Sequence, residues 1–264
     1  MTQSDPGEVH LSKQAGVAWL TFDRTASRNA MTWEMYDQLE AHCEALEQDP
    51  EVVAVVMRGA GGEAFVAGTD IKQFARFESG DDAIDYERRI DRVVGRVERL
   101  PKPTFALLEG FCVGGGAAIA LACDFRIATP SLKFGIPIAK TLGNCLSVTN
   151  VARLVDYAGP ARAKQVLMAG DLVRADEALA TGLVGELVEA DAIEARVAEQ
   201  AAAFRERAPL TVRAAKEVIQ RVLDERRPAS DASDDWIAAC YTSDDFKAAV
   251  DKFVNKTPFS WRGH

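Results

Sequence analysis

Apolar and polar positions alternate in EVHLSKQ (8–14) and in GVAWLTF (16–22), and Ala15-Gly16 can turn the chain between them, so this stretch predicts a pair of strands. The period then changes. Met35, Leu39, Cys43 and Leu46 recur at helical spacing, Thr32 stands at the N-cap and Pro50 marks a stop, which predicts a helix over 33–49. VVAVVMR (52–58) is β-branched and too short for a typical helix, so it is read as a buried strand. Residues 81–99 are densely charged but carry Ile84, Ile90, Val93, Val94 and Val97 as a stripe, predicting a solvated helix laid over the core and stopped by Pro101 and Pro103. TFALL (104–108) is a second buried strand that runs through EGFCV into three glycines, FRIAT (125–129) is a third, and LKFG (132–135) is extended. Beyond it the pattern predicts helices over 147–157, 160–168 and 175–181, a strand in GLVGELV (182–188), then helices over 191–207, 209–226 and about 233–253. Strands dominate the front and helices the last third. This predicts an α/β core over residues 1–200 and a helical C-terminal region over 201–264.

Composition narrows the functions. The 264 residues can bury a substantial core, and a formal charge of −9 without an aromatic-rich Lys/Arg cluster argues against nucleic acid as a partner. TQSDPGEV after Met1 lacks the basic and apolar regions of an export signal, and the most apolar later stretch, 111–123, is too short to span a bilayer, so a soluble cytoplasmic protein is expected. The five cysteines are scattered without CxxC spacing, and the three histidines (His10, His42, His264) offer no metal centre or His-based triad. No metal is expected.

Two glycine loops carry candidate chemistry. GAGGEA (59–64) follows a strand and matches GxGxxA, a dinucleotide-binding pattern, but the helix that pattern requires would have to pass through Phe65, Val66, Ala67 and Gly68. Gly114-Gly115-Gly116 lies between a strand and Ala117–Cys123, a run apolar enough for a buried helix. A helix start leaves N–H groups unpaired, and glycine lets a ligand approach them, an arrangement suited to a developing oxyanion. The same glycines would also let a helix pack closely on a neighbouring backbone. For the triplet alone both readings stand.

AFVAGTDIKQF (64–74) and EGFCVGGG (109–116), together with RNAM (28–31), ACDFRIA (122–128), FGIP (134–137), the AxxxGLV pattern at 178–184 and SDDFKAAVDKFVNKTPF near the C-terminus, resemble the crotonase superfamily, the enoyl-CoA hydratase and isomerase family. The resemblance covers nearly the whole chain in the same order. It implies a spiral of ββα turns in which two backbone N–H groups polarise the carbonyl of a coenzyme A thioester, with no cofactor beyond the coenzyme A of the substrate. By motif, the donors are Thr69 and Gly115, with Gly114 and Gly116 making room for the thioester. Ala67, Gly68 and the segment Thr69, Asp70, Ile71 and Lys72 would lie along the thioester and pantetheine, with Ile138 in the acyl wall. Arg28 would approach the nucleotide, and Phe253 and Lys256 would meet its adenine and phosphate end, Lys256 being equally readable as a solvated surface lysine. The family implies a homotrimer or a pair of trimers, with 201–264 as the trimerisation region.

The resemblance also exposes a departure. Hydratases of the family carry one glutamate two residues beyond the triple glycine's last member and another after the proline of FGxP, and here those positions hold Ala118 and Ile138. Alanine and isoleucine can neither orient water nor move a proton. Substitutes could come from Lys140, Thr141, Asn144, Cys145, Ser147 or Thr149. Gly143-Asn144-Cys145 resembles the place in the 4-chlorobenzoyl-CoA dehalogenase branch where Gly-Asn precedes a nucleophilic aspartate, which makes Cys145 a candidate nucleophile or a small core residue. Asp70 and Asp124 are read as holding loops, and Glu109 as an acid near the hole or a partnered carboxylate. The expected function is that of an acyl-CoA enzyme whose reaction is isomerisation, hydrolysis, decarboxylation or an atypical hydration. The alternative is a non-catalytic acyl-CoA-binding protein.

Overall fold

β1 (Glu8–Gln14) and β2 (Val17–Asp23) form the predicted hairpin, with Gln14 opposite Val17 across the Ala15-Gly16 turn. The computed structural model describes residues 5–264. α1 (Trp33–Glu47) starts where the Thr32 side chain accepts from the Met35 N–H, and β3 (Ala54–Gly59) then lies parallel to β2. From here the chain repeats one pattern. β4 (Ala64–Val66) leaves for a second sheet and α2 (Gly80–Arg99) returns; β5 (Thr104–Leu108), β6 (Phe111–Val113) and α3 (Gly115–Ala122) follow in the same order. So do β7 (Phe125–Ala128), β8 (Lys133–Gly135), the short α4 (Ile138–Thr141) and α5 (Val148–Leu167). β9 (Val173–Arg174), α6 (Ala175–Ala180) and β10 (Glu186–Leu187) complete the sheets, whose orders are β1-β2-β3-β5-β7-β10 and β4-β6-β8-β9. This is the spiral of ββα turns that the sequence resemblance implies.

The uninterrupted apolar strands have a direct cause. Successive side chains of a strand face opposite ways, and the first sheet is covered on both sides. Val55, Met57, Ala106 and Leu108 pack with α1, α2 and α3, whereas Ala54, Val56, Phe105 and Leu107 pack under Ile193, Val197 and Ala201 of α7 (Ile193–Ala202). α2 is also more buried than a solvated helix would be. Val93, Val94 and Val97 are fully enclosed, and Glu87 and Glu98 are buried with them.

The doubt over a helix after GAGGEA holds, and three other expectations change in detail. GAGGEA leads into a strand at Ala64, so the helix needed for dinucleotide binding is absent. The strand expected over 182–188 shrinks to β10, and the helices expected over 147–157 and 160–168 meet at a kink where Gly159 takes φ +71° before Pro160. The final helix breaks at Ser243, whose hydroxyl caps the next segment, giving α9 (Asp234–Thr242) and α10 (Asp244–Asn255) after α8 (Pro209–Arg226). α9 packs on α2, and α10 on the 3-10 segment Ile71–Arg76, so part of 201–264 completes the core of this chain. Among the described residues no helix is long and apolar enough to cross a membrane.

RNAM acts as a clasp. Asn29, at φ +58° and fully buried, accepts from the Arg24 N–H and donates to the carbonyls of Ala60 and Ala64, pinning the first glycine loop. Asn29→Ala strands those groups and places alanine in left-handed space, so urea denaturation should show a loss of about 2–4 kcal/mol. An unchanged midpoint would remove the clasp from the account of the fold.

Candidate active site

Three strands of the second sheet end at one cavity. β4 runs into Ala67, Gly68 and Thr69, β6 into Gly114 and Gly115, and β8 into Pro137 and Ile138. These residues line a hollow of about 180 Å³ with Ile71, Phe74, Tyr86, Glu87, Asn144 and Leu146.

Neighbouring backbone bonds set the direction of the Thr69 N–H. Met31 donates to the Gly68 carbonyl (2.8 Å) and its own carbonyl accepts from Asp70 (2.9 Å), so residue 69 bridges Met31 along one edge and its own N–H projects from the other. Arg24, only 5% exposed, pairs with Asp70 at 2.8 Å, while the other oxygen of Asp70 accepts from the Lys72 N–H. Asp70 therefore holds the loop, as expected. The Thr69 hydroxyl lies 2.8 Å from that of Tyr36 and 3.1 Å from that of Tyr86. The second N–H belongs to Gly115, the first residue of α3, where helix geometry supplies no internal acceptor. Among the described residues neither N–H meets an acceptor.

The three glycines have three separate causes. Gly114 sits at φ +55° with its Cβ direction 3.4 Å from the Gly68 Cα, where the two loops touch. A Cβ on Gly115 would strike the Tyr36 hydroxyl and come within 3.3 Å of the Thr69 hydroxyl. Gly116 corrects an expectation. Its added Cβ would strike the Val66 carbonyl and come within 2.7 Å of the Val66 Cβ, so this glycine lets α3 pack on β4 and makes no room for a ligand.

The remaining sequence candidates separate clearly. Ile138, Thr141 and Asn144 line the cavity. Lys140 pairs outside with Asp171 at 3.1 Å, and Ser147 caps α5 while bonding Asp91. Cys145 is not part of the lining. Its thiol points to the Leu146 carbonyl, among Ile237, Tyr241 and Phe246, and burial pushes its pKa up to about 12. It is therefore a neutral packing group, which removes the physical basis for a nucleophile. Glu109 is also off the cavity, beside the Gly62 turn, and Asp124 ties Thr104 to Lys216. Arg28 lies with its guanidinium 4.8 Å from the Phe111 ring centre while its carbonyl accepts from the Ala67 N–H, so it approaches the Thr69 loop from outside. The Lys72 side chain is exposed. Phe253, 44% exposed, and Lys256, whose ammonium bonds the Phe253 carbonyl, meet each other on the surface of α10 and not in the cavity.

Sequence reasoning missed four residues here: Tyr36, Tyr86, Glu87 and Tyr241. Glu87 is 3% exposed. One oxygen accepts from the Tyr241 hydroxyl at 2.6 Å and the other from the Ser147 N–H at 3.0 Å. Burial raises its pKa to about 7 against the opposing pull of these two bonds. The signal was present in the stripe of α2, since position 87 lies three residues after Ile84 and three before Ile90. An acid at an apolar position of a buried face is the informative exception.

Known proteins agree with this architecture. The model of the enoyl-CoA hydratase/isomerase family matches residues 12–264. The short-chain-enoyl-CoA hydratase of Clostridium acetobutylicum is 32% identical over 249 residues, covering 94% of this chain and 95% of that protein. The crotonyl-CoA hydratase of Syntrophomonas wolfei is 32% identical over 252 residues, with 94% and 95% covered. Among solved structures, an enoyl-CoA hydratase/isomerase from Xanthobacter autotrophicus superposes with a TM-score of 0.87 at 31% identity, covering 94% of this chain and 93% of that one. A methylmalonyl-CoA decarboxylase complexed with 2S-carboxypropyl CoA gives 0.86 at 25% identity, with 97% and 98% covered. A spiral of ββα turns, two glycine-built loops meeting at one cavity and relatives matched along almost their full length lead to one assignment: the chain is an enzyme of the enoyl-CoA hydratase/isomerase family.

Proposed function

We propose that the protein binds a coenzyme A thioester with its carbonyl oxygen between the N–H groups of Thr69 and Gly115, and stabilises the enolate or tetrahedral oxyanion formed there. The observation that carries this reading is the pair of unpaired donors, brought from two loops to one cavity beside residues that keep side chains out of the way. Ala67, Gly68 and the Thr69–Lys72 segment would run along the thioester and pantetheine. Arg28 faces the nucleotide, with Phe253 and Lys256 towards its adenine end. No cofactor beyond the substrate's own coenzyme A enters the scheme.

The reaction is not two-glutamate water addition. Ala118 is packed in the core at 5% exposure and Ile138 forms apolar wall, so neither position supplies a proton. Isomerisation, decarboxylation, hydrolysis and hydration by other groups share the enolate or oxyanion and fit the same hole; the decarboxylase among the solved relatives supports that breadth. We place the protein in the cytoplasm as a homotrimer or pair of trimers. Leu210, Val218, Ile219 and Val222, exposed together on α8, support self-association.

The test is incubation with enoyl-, 3-hydroxyacyl-, 2-carboxyacyl- and aryl-CoA thioesters, followed by mass spectrometry. Conversion of at least one class is expected. Binding without conversion across the panel would instead favour a non-catalytic acyl-CoA binder, the reading that Ala118 and Ile138 would then support.

A further inference from the structure

One ionisable side chain stands in the cavity wall without an assigned task. Among the described residues Glu87 is the only carboxylate in the lining, on the same hollow as Thr69 and Gly115. It forms no ion pair among the described residues, yet it is held from two other elements, by Tyr241 of α9 and by the N–H of Ser147 before α5. A carboxylate offers about four lone pairs, and these two bonds occupy two, leaving acceptor capacity for a reacting proton. Asn144 adds an independent sign of a ligand. Its side-chain nitrogen donates to the Tyr241 oxygen at 3.0 Å, which orients the tyrosine O–H towards Glu87, while its side-chain oxygen Oδ1 is buried in the wall with no partner among the described residues. A buried orphan acceptor is costly unless a water or a substrate donor meets it.

We propose that Glu87, oriented by Tyr241 and Asn144, is the proton carrier of this cavity, taking a proton from the α-carbon of the bound thioester and returning it to the acyl chain. The inference rests on the oxyanion-hole reading above. In the forward step a carboxylate lone pair forms the new O–H bond, the α C–H pair becomes the enolate double bond, and the carbonyl π pair moves to the oxygen facing the two N–H groups. Reversal of this flow at the α-carbon gives exchange. Delivery at the γ-carbon of an unsaturated chain gives a double-bond shift, with no water or co-reactant consumed. A proton carrier works best near the operating pH, and burial brings Glu87 to about 7. Asp91, one turn along α2, adds to that rise; the hydroxyls of Tyr36 and Tyr86, both kept neutral by burial, and the neutral Cys145 thiol are the other titratable groups nearby.

The experiment is deuterium uptake from deuterated water into a β,γ-unsaturated hexenoyl thioester of coenzyme A, followed by mass spectrometry from pH 5.5 to 9. Wild-type uptake is expected to rise with pH and level off above about 7, because the base is the ionised form. Glu87→Gln should lower uptake by about 10²–10⁴-fold with the dissociation constant of the thioester changed less than threefold, and Glu87→Asp should recover part of the loss. Tyr241→Phe removes a bond that favours the carboxylate, so its pH midpoint should move upward, which a merely bracing role for Glu87 would not produce. Wild-type uptake that is absent or flat with pH, or Glu87→Gln exchanging at the wild-type rate, overturns the proposal. If Glu87→Gln fails to fold, the Glu87→Asp rate and the Tyr241→Phe midpoint decide in its place. Failure of the hole reading looks different: replacing the Gly115 N–H would then leave uptake unchanged, whatever Glu87 does.

Discussion

Proline at position 115, in a Tyr36→Phe background, should slow turnover of the best thioester about 10²–10³-fold relative to alanine at 115 in the same background, the usual effect of losing one oxyanion donor. The comparison isolates a single N–H. Gly115 is the first residue of α3, the helical position where proline is tolerated best. Any side chain there meets the Tyr36 hydroxyl, so that hydroxyl is removed from both variants. Alanine then keeps the N–H and proline deletes it. The Thr69 hydroxyl retains Tyr86 as a partner at 3.1 Å in either case, so the first donor loop keeps its support. Steady-state kinetics on the two proteins, with circular dichroism to verify the fold, make the measurement. Equal rates would sink the hole.

The second large effect concerns stability. Arg153 is fully buried, with one nitrogen 2.8 Å from Glu98 and another 2.9 Å from the Asn150 side-chain oxygen Oδ1; Arg227 reaches the other oxygen of Glu98 at 2.9 Å. Glu98→Ala leaves Arg153 charged, buried and short of its counter-ion, a change that typically costs about 3–5 kcal/mol. Urea denaturation at pH 7.5 should show it. The exposed Arg96–Glu44 pair, with side chains 45% and 52% exposed, is the control and should contribute no more than about 1 kcal/mol. Burial works against the charge on Glu98, but the two guanidinium groups prevail and hold its pKa below the usual carboxylate value. Its contribution is therefore complete above the unfolded-state pKa and is lost as pH falls through the folded one, so wild type should lose more stability on acidification than Glu98→Ala. A Glu98→Ala midpoint within 1 kcal/mol of wild type would mean the network is held by its other bonds.

Much of the proposed binding half of the site was legible because a close backbone approach restricts residue type. Gly68 and Gly114 are glycines where the backbone turns left-handed, and Gly115 is one where a Cβ would hit Tyr36, so backbone need leaves a mark in the sequence. Thr69 could be named from its motif as the proposed donor, because a backbone donor does not depend on its side chain. The proton-handling half was less legible. The polar residues of 138–150 offered several substitutes, and Cys145 read as a nucleophile or a small core residue, because its burial among Ile237 and Phe246 depends on α9 and α10. Glu87 stood 51 positions before the missing second glutamate's place at 138 and read as one charge among many on a charged helix.

By itself the sequence determined the alternation that makes each strand, the stripe that lays α2 on the core, the glycines that free two N–H groups, and the absence of acids at 118 and 138. The alternation and the stripe are set by neighbours within a few residues, where steric limits and periodicity act directly, whereas the glycines mark close approaches by residues far along the chain such as Tyr36 and Val66. The tertiary structure decided which charges are buried and what they meet. Glu87 meets Tyr241 across 154 positions of chain, and its proton affinity is fixed by how much water that packing excludes and which donors it supplies. Spacing records which face of a helix turns inward; what waits for it there is settled only when α9 folds back over α2.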